Sequence, residues 1–237
     1  MKKPVLWALG ILIVVAIVAF AAGPWFYREF IAGAADPELA LPGQREAATT
    51  DVNGTWTVVP GPDDDATRTQ AGYRVDEILR GSPLTVNGRT PQVTGEVVVA
   101  ASKLESATFT VDVASITSPE SARDNQFRGG DILDTGKFAT AELRVTEPVD
   151  VAAVPATGES ATLDVPVSLT VKGVSRDVTA KVDVQRAGAT IVAAGSVPVT
   201  WNDFNVTPPD FAGFVTVEPT GTIEFLVNLA KRQAPKK

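Results

Sequence analysis

"LDVPVSLTVKGVSRDVTAKVDV", residues 163–184, decides the fold. Leu163, Val165, Val167, Leu169 and Val171 alternate with Asp164, Pro166, Ser168, Thr170 and Lys172. That period of two gives an extended strand one dry face and one wet face. Lys172-Gly173 turns the chain, and Val174, Val178, Ala180, Val182 and Val184 continue the dry set, so the stretch reads as a β-hairpin. Ala187-Gly188 makes the next turn, and Ile191, Ala193, Val197, Val199 and Trp201 extend the hairpin into a three-stranded meander.

The same period recurs outward in both directions. Phe109, Val111 and Val113 alternate with Thr108, Thr110 and Asp112, and Ile223, Phe225, Val227 and Leu229 alternate with Glu224 and Asn228. Further strands are expected at Thr55–Val59, Gly72–Leu79, Gln92–Ala101 and Ala141–Val149, about eight in all. Eight antiparallel strands must pack as two sheets or close on themselves to remove their edges. The wet faces carry Asp, Thr, Lys and Arg, which excludes a lipid-facing outer band. Dry faces of Val and Ala suit a packed sandwich core and a hollow barrel equally, and period alone leaves both open.

One helix interrupts the strands. In "ITSPESARDNQFRGGDIL", residues 116–133, Ser118 is a good N-cap, Pro119 suits the first helical position and Gly129-Gly130 supplies a stop. Asp124 and Arg128 stand four apart, the spacing of an exposed ion pair. Phe127, Ile132 and Leu133 are the apolar members able to turn toward the strands. Arg123 and Asp124 raise the question of acid–base catalysis, but no nucleophile or second carboxylate stands at a defined spacing beside them.

Composition narrows the chemistry further. The chain has 237 residues, a formal net charge of -7, no Cys and no His. Acidity opposes nucleic-acid binding. Thiolate nucleophiles, imidazole bases and Cys/His zinc sites are excluded. Asp63 to Asp65 lack the spaced ligands of a calcium loop, so no metal is expected. Residues 1–30 open with Lys2 and Lys3 and run uncharged from Pro4 to Tyr27. As a helix that run reaches roughly 36 Å, enough to cross a hydrocarbon core. The length and the Trp25-Phe26-Tyr27 cluster favour a retained transmembrane anchor over a cleaved signal peptide. The paired lysines place the N-terminus in the cytoplasm and the rest of the chain outside, anchored in the cell membrane, or secreted if the segment is cleaved. Residues 31–53 read as a flexible linker, 54–230 as the β domain and 231–237 as a basic tail.

Four motifs in order, "FTVDVASITS", "ARDNQFRGGDILDTGKFATAEL", "LTVKGVSRDV" and "VTWNDFNV", resemble the landmarks of the YceI-like family of bacterial lipid-binding proteins. The resemblance covers about Thr55 to Leu229. It implies an extended, lipocalin-like antiparallel eight-stranded barrel around a hydrophobic tunnel that holds a polyisoprenoid, such as a polyprenol or a quinone tail. The chain departs from the pattern where the family often carries His, in "YRVDEIL" and at Lys172, and in lacking the Arg that often precedes Asp203-Phe204.

On this reading the protein is a non-catalytic, membrane-tethered lipid carrier or reservoir without a cofactor. A sandwich-type interaction or adhesion module and a lipid hydrolase are the alternatives. Alternation and position nominate Tyr73, Phe109, Val111, Val113, Leu169, Val171, Phe204, Phe214 and Phe225 as lining, with Phe127, Ile132 and Leu133 from the helical segment. The oligomeric state stays open, a homodimer included.

Overall fold

The computed structural model describes residues 35–79, 81–210 and 215–232, together with Ile13. Among the described residues eleven strands run in chain order: β1 Gly54–Val59, β2 Gln70–Leu79, β3 Ser82–Thr90, β4 Val93–Ala100, β5 Lys103–Asp112, β6 Thr140–Val145, β7 Val149–Asp150, β8 Ser160–Val171, β9 Val174–Ala187, β10 Thr190–Thr200 and β11 Val215–Lys231. One short helix, α1, spans Ser121–Phe127. Antiparallel pairing runs β1–β4–β5–β6–β8–β9–β10–β11 and returns from β11 to β1, so eight strands close into a barrel. Closure removes the edges that a sandwich would keep.

The quoted hairpin is β8–β9. Its register pairs Val171 with Val174 across Lys172 (φ 49°) and Gly173 (φ 74°). Two positive φ angles in a two-residue loop form the turn whose twist matches the flanking strands. Lys172 bears that backbone while its Nζ donates to the carbonyls of Gly130, Asp131 and Asn205. The tip of the hairpin thus ties down the helical insertion and the β10–β11 connection.

β11 is long enough to pair twice along one edge. Its C-terminal end pairs β1 through Val59↔Asn228, and its earlier part pairs β2 through Gln70↔Leu226. β3 then pairs β2 and ends the sheet. The alternation reading missed β3, whose Pro83, Asn87 and Gly88 obscure the inward set Leu84 and Val86. The free edge of β3 is covered by irregular chain. Arg89 and Thr117 exchange backbone hydrogen bonds, and α1 follows directly.

Chain expected to be a linker lies along the barrel from Ala35 to Asn53. Leu39 and Leu41 pack on Val192, Ala194 and Leu226, on the outer face of β10 and β11. Glu224, 3% exposed, binds Arg74 and Arg89, and both guanidinium groups also donate to strap carbonyls, at Asp36 and Pro37. Ala48 bridges Gly188 at the β9–β10 turn. Outward-facing Val192 and Ala194 are therefore buried at 1% and 3%, and their apolar side chains explain why this segment docks.

Apart from Ile13, the transmembrane segment expected over 1–30 lies outside the described residues, as does the tail from 233. Among the described residues no helix is long and apolar enough to cross a membrane.

Candidate functional site

One chamber lies within the ring of strands, and another lies at its end, against β2, β3 and α1. The upper one, about 430 Å³, opens at the end that carries the β2–β3 and β8–β9 hairpins and α1. Its volume falls within the range of small-molecule pockets, about 300–1,000 Å³. Alternation along β2 turns Tyr73, Val75, Glu77 and Leu79 inward, and Val86 of β3 faces them. Phe127, Ile132 and Leu133 close one side, and Trp201, Val206, Pro208, Pro209, Val215 and Val217 close the other. The lower chamber, about 100 Å³, is walled by apolar strand side chains such as Val97, Ala107, Val182 and Ala193, with Arg186 the one charged residue in its described lining. Val151 and Val154, from the β6–β8 connection, line its far end.

Aromatic rings are seated in this interior by glycines directly across the strand pair. The pairs are Tyr73↔Gly88, Phe109↔Gly95 and Phe225↔Gly195. A Cβ on these glycines would stand 2.6, 2.7 and 2.5 Å from the facing ring. Each ring covers backbone that a glycine leaves bare, and each glycine gives the ring room to lie flat. Tyr73 also stacks on Phe127, with centroids 4.7 Å apart and planes at 19°. That stack fastens α1 to the barrel wall.

The sequence-nominated residues separate accordingly. Tyr73, Phe127, Ile132 and Leu133 line the upper chamber, and Phe109 and Phe225 line the lower. Val113, Leu169, Val171 and Phe204 are buried in the packing cluster that also contains Tyr73, Val75, Val165 and Val167, and so joins the two chamber walls. Val111 packs, half-buried, against Ala71 and Val93. Phe214 lies outside the described residues.

Three expectations for the helical segment are corrected. The N-cap is Glu120, whose side chain accepts from Ala122 N, and the helix begins at Ser121. Asp124 is buried and accepts from the backbone N–H and hydroxyl of Ser118 at 2.9 and 2.7 Å, which holds Ser118 outside the helix. Arg128 does not pair with Asp124. It donates to the carbonyls of Ala114 and Ile116. Local i,i+4 spacing yields to tertiary partners because a buried backbone carbonyl without a donor costs more than a surface ion pair gains.

Sequence reasoning missed Glu77. This carboxylate occupies an inward position between Val75 and Leu79, is 6% exposed, and meets Arg123 of α1 at 3.3 Å. The signal available beforehand was an acid in the dry register of "YRVDEIL". Burial pushes the Tyr73 phenol up to about 12, against a smaller opposing pull from Arg123. Its hydroxyl therefore keeps its proton throughout the physiological range. The Asp63–Asp65 run is a turn: Asp64 accepts from Ala66 N and Thr67 Oγ1, and Asp65 pairs with Arg68. Among the described residues no group of three or more carboxylates gathers as a metal site.

The barrel resembles solved structures. BcnA of Burkholderia cenocepacia superposes with a TM-score of 0.53 at 24% identity, over 67% of this chain and 95% of that one. A polyisoprenoid binding domain from Saccharophagus degradans, implicated in plant cell wall breakdown, superposes with a TM-score of 0.55 at 18% identity, over 75% and 98%. At these identities the likeness speaks to the fold. No curated protein matches the chain. The YceI-like domain model matches residues 63–229, which takes in β2 to β10 whole, most of β11 and α1, and the chain belongs to that family.

Proposed function

We propose that this protein binds an isoprenoid-type lipid inside the barrel, with the head at the mouth of the upper chamber and the apolar chain directed toward the lower one. The observation that carries the reading is the upper chamber itself, an open volume of about 430 Å³ with mostly apolar walls. Each methylene-sized group taken from water into such walls contributes about 0.8 kcal/mol, so a chain of a few isoprene units offsets the ordering cost of association. Binding by burial needs no reactive side chain. The Saccharophagus domain of the same fold, described as polyisoprenoid-binding, supports the same ligand class.

The membrane-tethered form of the reading draws support from the strap. It crosses the outside of the barrel from Ala48, beside the β9–β10 turn, to Asp36, beside Asn87 and Arg74. From there the chain continues to the apolar run of residues 4–27. An anchor joined to this strap keeps the barrel beside the bilayer, where an isoprenoid resides. The role is that of an extracytoplasmic carrier or reservoir.

The test is solvent extraction of the full chain purified from membranes, followed by mass spectrometry. Copurifying polyprenol or quinone is expected. A protein that is repeatedly empty and takes up neither added polyprenol nor added quinone would overturn the reading.

A further inference from the structure

The rim of the upper chamber carries few polar side chains, and their charges do not balance in favour of an anion. Among the described residues its lining includes two carboxylates, Glu77 and Glu120, and one cation, Arg123. The charge of Arg123 is already offset, since its Nη2 meets Glu77 Oε1 at 3.3 Å. Both members of the pair are shielded, with side chains 17% and 7% exposed. Two nearby cations are engaged elsewhere: Arg128 is bound to two carbonyls and Lys172 to three. The remaining polar groups of the lining, Gln126, the Tyr73 phenol and the Trp201 indole, are uncharged.

A phosphate brought to this rim would place one or two further negative charges beside a buried carboxylate. In a medium of low effective dielectric that repulsion is weakly screened. An uncharged oxygen meets the opposite situation. A guanidinium has five N–H donors, and Glu77 engages one of them, so Arg123 can hold Glu77 and still donate to a carbonyl or hydroxyl.

We propose that the upper chamber selects isoprenoid lipids with an uncharged, oxygen-bearing head, a quinone carbonyl or a prenol hydroxyl, and discriminates against prenyl phosphates and pyrophosphates. Glu77 sets this selectivity and Arg123 supplies the donor. The inference rests on the lipid-binding reading above and names the head group that site accepts.

The test titrates the full chain in detergent micelles, at low ionic strength, with three lipids that share one tail: a prenol, a quinone and a prenyl monophosphate. Binding is followed by tryptophan fluorescence. The prenol and the quinone should bind at least about tenfold more tightly than the monophosphate, a difference of about 1.4 kcal/mol. Glu77→Gln, nearly isosteric, should free Arg123 and close most of that gap. Glu120→Gln, at a more exposed position, should narrow it less and serves if the first variant does not fold. A monophosphate that binds the unaltered chain as tightly as the prenol overturns the selectivity while leaving lipid binding intact. A gap that neither variant narrows overturns the role of the carboxylates. If none of the three lipids binds, the underlying lipid-binding reading falls instead.

Discussion

The upper and lower chambers, one at the end of the ring of strands and one within it, are built by different means. The lower is enclosed mainly by paired strands, and its Val and Ala side chains leave only about 100 Å³ of apolar space. The upper is about four times larger and has a polar rim, because β3 ends the sheet there and irregular chain takes over the wall. Ladder hydrogen bonds fix neighbouring strands about 4.8 Å apart, so branched side chains from opposite walls nearly meet. A helix and two connections held by side-chain anchors have no such spacing imposed on them. Space in this barrel is therefore created where strand pairing stops.

The largest effect is expected from breaking the lower chamber at Gly195. A Cβ there would lie 2.5 Å from Phe225 Cζ and 2.7 Å from the backbone oxygen of Lys181, and the latter cannot rotate away. Gly195→Val should cost about 3 kcal/mol or more in denaturant unfolding. A loss below about 1 kcal/mol would show that the ring–glycine seat does not hold the wall.

A smaller effect belongs to the upper chamber and appears only in alkali. Tyr73 is raised to about 12 in the folded state by burial, from an ordinary value of 10.0. The folded state then holds its proton where the unfolded chain releases it. The associated stability is present below pH ~10 and is lost as pH rises from there toward ~12, by up to about 2 to 3 kcal/mol. Unfolding free energies measured across that range should fall more steeply for the native chain than for Tyr73→Phe, which keeps the stack on Phe127. Parallel slopes for the two proteins would mean that the phenol is not buried in solution.

The smallest effect lies outside both chambers. Leu39→Ala trims the strap where it covers Val192 and Leu226. Because Leu39 is itself only partly buried, the loss should be about 1 kcal/mol, with lipid affinity in micelles unchanged. A fall in affinity would join the strap to the chambers and remove the distinction drawn here.

The walls built by paired strands were more legible in the sequence than the wall beside β3 and the buried pair at its rim, although Tyr73, Phe127, Ile132 and Leu133 of the upper chamber were nominated too. Alternation along residues 163–184 and 191–201 marks inward positions directly, since a strand's side chains change face at every residue. Phe109 and Phe225 were found that way. β3 escaped because a proline and a glycine interrupt its pattern. Glu77 escaped because an inward carboxylate resembles a solvated one until its partner is known, and Arg123 is 46 residues away. Asp124 and Arg128 had the spacing of a surface pair, yet each was claimed by a backbone or hydroxyl partner from the preceding loop. The strap was legible only as polar, Pro-containing chain; Leu39 and Leu41 gain meaning from the bare apolar patch on β10 and β11.

By itself the sequence determined that the domain is an antiparallel β structure, dry on one face, with a punctuated helix inserted between strands. Those properties depend on residues close along the chain, through backbone geometry and side-chain period. Alternation left closure open and the family resemblance implied the eight-stranded barrel that the structure has; only the tertiary structure decided that a chamber opens beside β3 and that a buried Glu77–Arg123 pair stands at its rim. Each of these joins residues far apart in the chain, and burial energy depends on what covers a side chain rather than on what precedes it.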